Sequence, residues 1–187
     1  MIALPLTALI LSGCGTAAKN DTYDLSAAVD GDGPAAKSRQ ILIVGPTALK
    51  ALDSEQILIR VSPSEIQYLS RAQWGDKLPR MVQSKLVEAF ENSGKLGGVG
   101  MPGQGLAIDY QVVTDIRSFE IDASSGNQAV VEISAKILND RNGSVRAQKV
   151  FRAVAPAGGG NDGFVKGLDR AFSTVVSEIV SWTLRSI

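Results

Sequence analysis

The chain has no histidine in 187 residues. That removes the side chain most used as a general base and as a nitrogen ligand for metals. Cysteine is nearly absent too: Cys14 stands alone. No intramolecular disulfide can form, and Ser–His and Cys–His pairings are closed to this protein. There is no excess charge of either sign, because 19 Lys and Arg balance 19 Asp and Glu. Nucleic acid demands a basic face, and docking on anionic lipid by charge demands a polybasic segment, so neither partner is expected. Finally, no apolar run approaches the roughly 20 residues needed to span a bilayer. The longest stretch at the front, Ile2 to Leu11, has the length of a secretory h-region instead.

What is present begins where that run ends. Leu11-Ser12-Gly13-Cys14 places two small residues ahead of the only thiol, with a polar stretch straight after it. This is the pattern of a bacterial lipobox. A peptidase must seat the scissile segment close to its own backbone, and the thiol is the nucleophile that receives the diacylglycerol. Cys14 is therefore the expected lipid attachment point, and Leu11, Ser12 and Gly13 the lipobox around it. The alternative is a secretory signal, or a poorly packed N-terminus, that happens to hold a free cysteine. A signal should open with a basic n-region, yet nothing before Lys19 is charged, so the start codon is expected upstream of Met1. The expected organisation is a signal peptide at 1–13, a flexible tether at 14–21, and a single domain at 22–187. A domain of that size buries roughly 70% of its unfolded surface. Residue 15 is Gly and not Asp, which by the enterobacterial sorting rule permits export to the outer membrane.

The domain reads as strands, helix, strands, helix. Thr22–Leu25, Gln40–Val44, Gln56–Val61 and Glu65–Leu69 are expected strands, with Val29–Ser38 a solvated loop. Trp74 to Asn92 carries Trp74, Leu78, Val82, Leu86 and Phe90 at intervals of four, a helix stripe. Asp76 is its expected N-cap and Ser93-Gly94 its stop. Its other face (Lys77, Arg80, Gln83, Lys85, Glu88, Glu91) is expected to be solvated. After a glycine-rich connection with an edge strand near Leu96–Val99 come three meander strands: Leu106–Ile121, Gln128–Leu138 and Val145–Val154. A change of parity predicts a bulge near Arg117, and Asn139–Gly143 a hairpin turn. Val145, Ala147 and Phe151 are expected to face inward. A last helix has its stripe on Phe164, Leu168, Phe172, Val175, Ile179 and Trp182, with Asn161 or Asp162 as cap. The expected class is α+β, a largely antiparallel sheet with two long amphipathic helices packed on one face.

Candidate chemistry does not survive inspection. Gly98-Val99-Gly100-Met101-Pro102-Gly103 fits G-x-G-x-x-G, but a helix precedes it, a strand follows, and Pro102 removes an N–H, so it cannot cradle a pyrophosphate. Asp30-Gly31-Asp32 lacks the remaining ligands of a calcium loop. The carboxylate pairs Asp30/Asp32 and Asp122/Glu120 fall in turns or at strand ends. Asn20-Asp21-Thr22 and Asn142-Gly143-Ser144 match the glycosylation pattern, which is noise in a bacterial lipoprotein. No catalytic residue, metal ligand or cofactor site is expected.

The order of pieces resembles the ABC-type transport auxiliary lipoprotein family, the group that contains paraquat-inducible protein C. The resemblance rests on the lipobox, the Tyr23-x-Leu25 strand and the apolar strands Ile41–Val44 and Ile57–Val61. It continues with the Tyr68…Trp74 helix entry, a helix through Leu78 and Leu86 ending in Ser93-Gly94, and Asp109-Tyr110 leading to Phe119-Glu120. It closes on a helix with Leu168, Ala171 and Trp182. The resemblance implies a non-catalytic periplasmic lipoprotein on the envelope, at the outer membrane more than the inner, carrying a lipid such as palmitate on Cys14. It implies an MCE-domain protein, an ABC permease and an ATPase as partners, in a system moving phospholipid or other hydrophobic substrates between membranes. A homo-oligomer is left open. The competing reading is an envelope lipoprotein that regulates a cell-wall enzyme or braces an envelope complex.

Overall fold

The computed structural model describes residues 20–27, 31–124 and 126–187. Leu11, Ser12, Gly13, Cys14 and Asp30 lie outside the described residues. Among those described, the order is β1 (Asp21–Tyr23), β2 (Ala36–Ile43), β3 (Thr47–Ala48), β4 (Gln56–Ser62), β5 (Glu65–Trp74) and α1 (Leu78–Ser93). Then follow β6 (Leu96–Gly100), β7 (Tyr110–Asp122), β8 (Gln128–Asn139), β9 (Val145–Pro156) and α2 (Gly160–Ser186). The fold is α+β, as expected.

β7 is the axis of the sheet. Along one edge it pairs antiparallel with β8 over its whole length, and β9 continues the meander beyond. Along its other edge β2, β3 and β4 lie end to end, each parallel to it. These three are one path along β7, interrupted twice. Pro46 has no N–H to give to a ladder. A turn then follows in which the Leu49 carbonyl accepts from the amides of Leu52 (2.8 Å) and Asp53 (2.9 Å). β4 folds back on β5, β5 carries β1 at its outer edge, and β2 carries β6. The sheet is thus mixed: the long ladders are antiparallel and the short ones parallel.

Strand alternation decides the core. Val112 and Ile116 point inward from β7, and so do Phe119 and Ile121. The register against β8 shifts between Ile116 and Ser118, so the bulge sits at Arg117, where the change of parity put it. Ala129, Val131, Ile133, Ala135 and Ile137 of β8 are all fully buried. α2 lies across β8 and β9, α1 against β2 and β6, and the helices touch each other over one continuous core.

Several expectations change. Trp74 does not open α1. It is the last residue of β5 and reaches the same core from a strand, its backbone N–H donating to the Glu55 carbonyl at 2.7 Å. α1 begins at Leu78 with Lys77 at the N-cap and no side-chain cap, so Asp76 caps nothing. Its carboxylate accepts from the Lys77 amide and pairs with Arg80 at 3.2 Å. Gly94 does end α1 in the left-handed conformation (φ 60°), as the sequence predicts. The polar face of α1 is not wholly solvated: Gln83 donates to the Ile43 carbonyl (2.9 Å), and Lys85 is largely covered. Val145 is 55% exposed, because the β8–β9 register slips between Ile137 and Leu138 and reverses its direction. Gly159 is the N-cap of α2; neither Asn161 nor Asp162 caps it, because both side chains bond to other strands.

Among the described residues, the buried hydroxyls of Thr114 and Thr183 have no partner. Burying an unpaired hydroxyl costs about 1–3 kcal/mol. Thr183→Val should therefore raise Tm by about 2–4 °C per kcal/mol recovered in a domain of this size. A lower Tm in a thermal melt would mean that the Thr183 hydroxyl is bonded after all.

Candidate functional site

The segment that follows the expected tether is held along the whole length of α2. Tyr23 Oη donates to Asp162 Oδ1 (2.7 Å) at the start of the helix. Two turns on, Asp169 accepts from both the backbone N–H (2.7 Å) and the hydroxyl (2.9 Å) of Ser26. Near the end, Ser181 Oγ accepts from the Asp32 amide (2.9 Å), and Arg185 Nη1 donates to the Asp32 carbonyl (3.1 Å). Lys85 of α1 clamps the segment from the other side through Asp24 (3.2 Å), and Leu25 is buried between. Gly31 and Gly33 lie flat on Val180 and Leu184, where any Cβ would overlap those side chains. The Gly31-Asp32-Gly33-Pro34 part of the stretch, which reads as a solvated loop, is a strap fitted to a helix; its Asp32 side chain remains exposed.

The Tyr23 phenol is pushed up to about 12, first by its hydrogen bond to Asp162, then by burial and by the nearby carboxylate charges of Asp162 and Asp21. A raised tyrosine pKa means that the folded state keeps its proton longer than the unfolded chain, whose phenol titrates near 10. The stabilisation is complete below about pH 10 and is lost as pH rises from there to about 12. Tyr23→Phe should cost about 1 kcal/mol at neutral pH and abolish this component of the alkaline loss. Denaturant melts at pH 8 and pH 11 on both proteins check it; equal alkaline losses would show that the bond contributes nothing.

The carboxylates that could suggest catalysis have structural work instead. Glu120, nearly buried, accepts Arg60 Nε at 2.8 Å and Nη2 at 2.9 Å, a two-pronged pairing that holds the Arg60 guanidinium above its ordinary pKa. Asp122 accepts from the amide and hydroxyl of Ser124. Asp32 is engaged through its backbone. Gly98–Gly103 runs through β6 into a turn, with α1 before it and no helix after it, so it forms no phosphate cradle. Among the described residues no cluster of His, Cys, Asp and Glu could hold a metal ion, and no helix is long and apolar enough to cross a membrane.

What remains is surface. The sheet face away from the helices carries a charged patch: Arg117 lies 3.7 Å from Asp115 and 3.9 Å from Glu132, and Arg152 3.6 Å from Glu132. Beside it the register sets Tyr68, Leu58, Glu120, Val130 and Val154 in one row across four ladders. Tyr68 and Val154, with Ile66 and Val150, are substantially exposed. Four hollows on the described surface, about 250–410 Å³ each, are lined mainly by charged, amide and hydroxyl side chains. Ligand pockets are predominantly apolar clefts; these are not. Sequence reading missed the strap and these faces. A Tyr-x-Leu strand leading into Gly-x-Gly was the one available signal for the strap.

A family model described as ABC-type transport auxiliary lipoprotein component matches residues 23–180. An uncharacterized protein of Bradyrhizobium diazoefficiens is 30% identical over 95% of this chain, which spans 48% of that relative. The chain thus spans about half the length of the curated relative it matches. A crystal structure of a Xanthomonas campestris protein, of the family DUF330, superposes with TM-score 0.79 at 28% identity, covering 88% of this chain and 95% of that one. The PelC dodecamer of Paraburkholderia phytofirmans shares the fold at 12% identity (TM-score 0.53, 83% and 95% covered).

Proposed function

The chain belongs to the ABC-type transport auxiliary lipoprotein family, and from that premise we propose that it is a lipid-anchored, non-catalytic docking component of an ABC transporter containing an MCE-domain protein. The system moves phospholipid or another hydrophobic substrate between inner and outer membranes. The observation that carries this reading is the extent of the match, from β1 almost to the end of α2, with the lipobox just ahead of it.

Cys14 carries the acyl chains, and Leu11, Ser12 and Gly13 present it for processing. One acyl chain holds a protein on a membrane only marginally, whereas two or more anchor it firmly. The segment from Gly15 to Asn20 limits the reach from anchor to fold to about 20 Å, so the domain works at the surface of one leaflet, the outer membrane by the Gly15 rule. Its partners are the MCE-domain protein together with the permease and the ATPase, and self-association is included because a protein of this fold forms a dodecamer. The strap along α2 ties the anchored end of the chain to the body of the domain.

Cys14→Ser is expected to abolish acylation, so that the mature protein disappears from the membrane fraction. Soluble material or uncleaved precursor of larger mass replaces it, while circular dichroism of the domain stays unchanged. Unaltered membrane fractionation of the variant would overturn the assignment of Cys14.

A further inference from the structure

We propose that the outer edge of β9 is a docking edge for an extended segment of another protein, acidic and apolar at alternate positions, which pairs with β9 as an added strand. The inference goes beyond the transport reading and requires only that the domain dock on a partner.

β9 is twelve residues long and pairs with β8 along one edge alone; among the described residues nothing pairs with the other. The other free edges are shorter. On the side away from β4, no described strand pairs with β5 from Glu65 to Arg71, since β1 covers only Ala72, Gln73 and Trp74. β1 has three residues, and β6 has five, three of them glycine. An unpaired edge is a row of backbone donors and acceptors ready for another strand, and strand addition is a standard way to recognise extended segments.

The chemistry of the edge says which segment. The charges on β9 are Arg146, Lys149 and Arg152, with no acid among them. On the helix side a groove of about 390 Å³ runs between β9 and α2, lined by Lys149 and Arg185 with Ser177 and Ser181, against a single carboxylate, Glu178. Arg146 stands at its end, donating to the Ser186 carbonyl at 3.0 Å. Lys149 is held over the Phe151 ring, 4.9 Å from its centroid, and so remains at the edge. On the opposite face of the strand Val150 and Val154 are 40% and 46% exposed. A strand laid beside β9 would meet Arg146, Lys149 and Arg185 on the helix side and Val150 and Val154 on the other. Arg152, between those valines, is already paired with Glu132 at 3.6 Å. This arrangement selects acidic and apolar residues in alternation.

The same charges disfavour one way of pairing with a second copy of the chain, the register centred on Lys149. Antiparallel pairing of β9 with itself about Lys149 sets Lys149 against Lys149 and Arg146 against Arg152, and directly opposed like charges are destabilising.

The test uses the full domain, isotope-labelled, with two synthetic twelve-residue peptides, one alternating Glu with Val and the other Lys with Val. The Glu peptide is expected to bind and to slow hydrogen exchange at β9 amides, more weakly as salt is raised. Lys149→Glu, an exposed change checked for folding by thermal melt, should weaken it about fivefold, as a cross-strand attraction turns to repulsion. Equal binding of both peptides, protection at β6 or β1 in place of β9, or no binding of the Glu peptide overturns the proposal. None of those results bears on whether the protein co-purifies with a transporter, so the two readings fail separately.

Discussion

Truncating Trp74 to alanine is expected to destabilise the domain by about 3–5 kcal/mol, a large part of the 5–15 kcal/mol typical of a folded domain. Trp74 is 1% exposed and lies where three elements meet. Its ring meets Phe119 of β7 edge-on at 5.8 Å, and Phe119 meets Phe172 of α2 at 5.7 Å. The cluster therefore joins the β4–β5 arm to the central strand and to the helix layer. Removing the indole deletes the largest side chain of that junction, and the surrounding strands, fixed by their ladders, cannot close on the space. Trp74→Phe, which keeps an edge for Phe119, should cost roughly half as much. Urea melts followed by circular dichroism measure both, and Trp182 remains as a fluorescent reporter. A loss below 1 kcal/mol for Trp74→Ala would show that the junction is not a determinant of stability.

The second large effect comes from adding one carbon. Gly97 of β6 lies beneath the irregular part of β2, where the register jumps between Ala36 and Gln40. A Cβ at Gly97 would overlap the Lys37 carbonyl oxygen and lie 3.1 Å from that of Arg39. Both obstacles are backbone, so the strands must part. Gly97→Ala is expected to cost about 3 kcal/mol, the upper range of overpacking. Gly98 is the internal control, because its Cβ would meet only the Gln40 side chain, which can swing away. Gly98→Ala should cost less than about 1 kcal/mol. Equal losses at the two positions, read from the same melts, would refute the close-approach account. The backbone approach thus requires glycine at Gly97, one residue ahead of the stretch that imitates a dinucleotide fingerprint.

The meander could be read almost residue by residue, because β7 and β8 alternate over many residues and one face is buried. Even the Arg117 bulge announced itself as a change of parity. Trp74 could not be placed, since a strand residue that enters the core one turn before a helix mimics the helix period. The parallel pairings of β2, β3 and β4 left no signature: each is short, and a buried apolar run reads alike in either direction. Val145 was misdirected by a register slip that neighbouring residues do not encode. As for the site, its chemistry was legible only as absence, with no histidine and one thiol. The strap and the β9 edge depend on side chains far apart in sequence, Tyr23 with Asp162 and Lys149 with Arg185, and no local pattern joins them.

The central claim is that this chain serves an MCE-containing transporter by docking from a lipid anchor. The most direct measurement is purification of the tagged, Cys14-intact protein from native membranes in mild detergent, with every co-purifying chain identified. The account predicts an MCE-domain protein, with the permease and ATPase of the same system, in fixed proportion to the tagged chain. Recovery of a cell-wall synthase with none of those three components would contradict it.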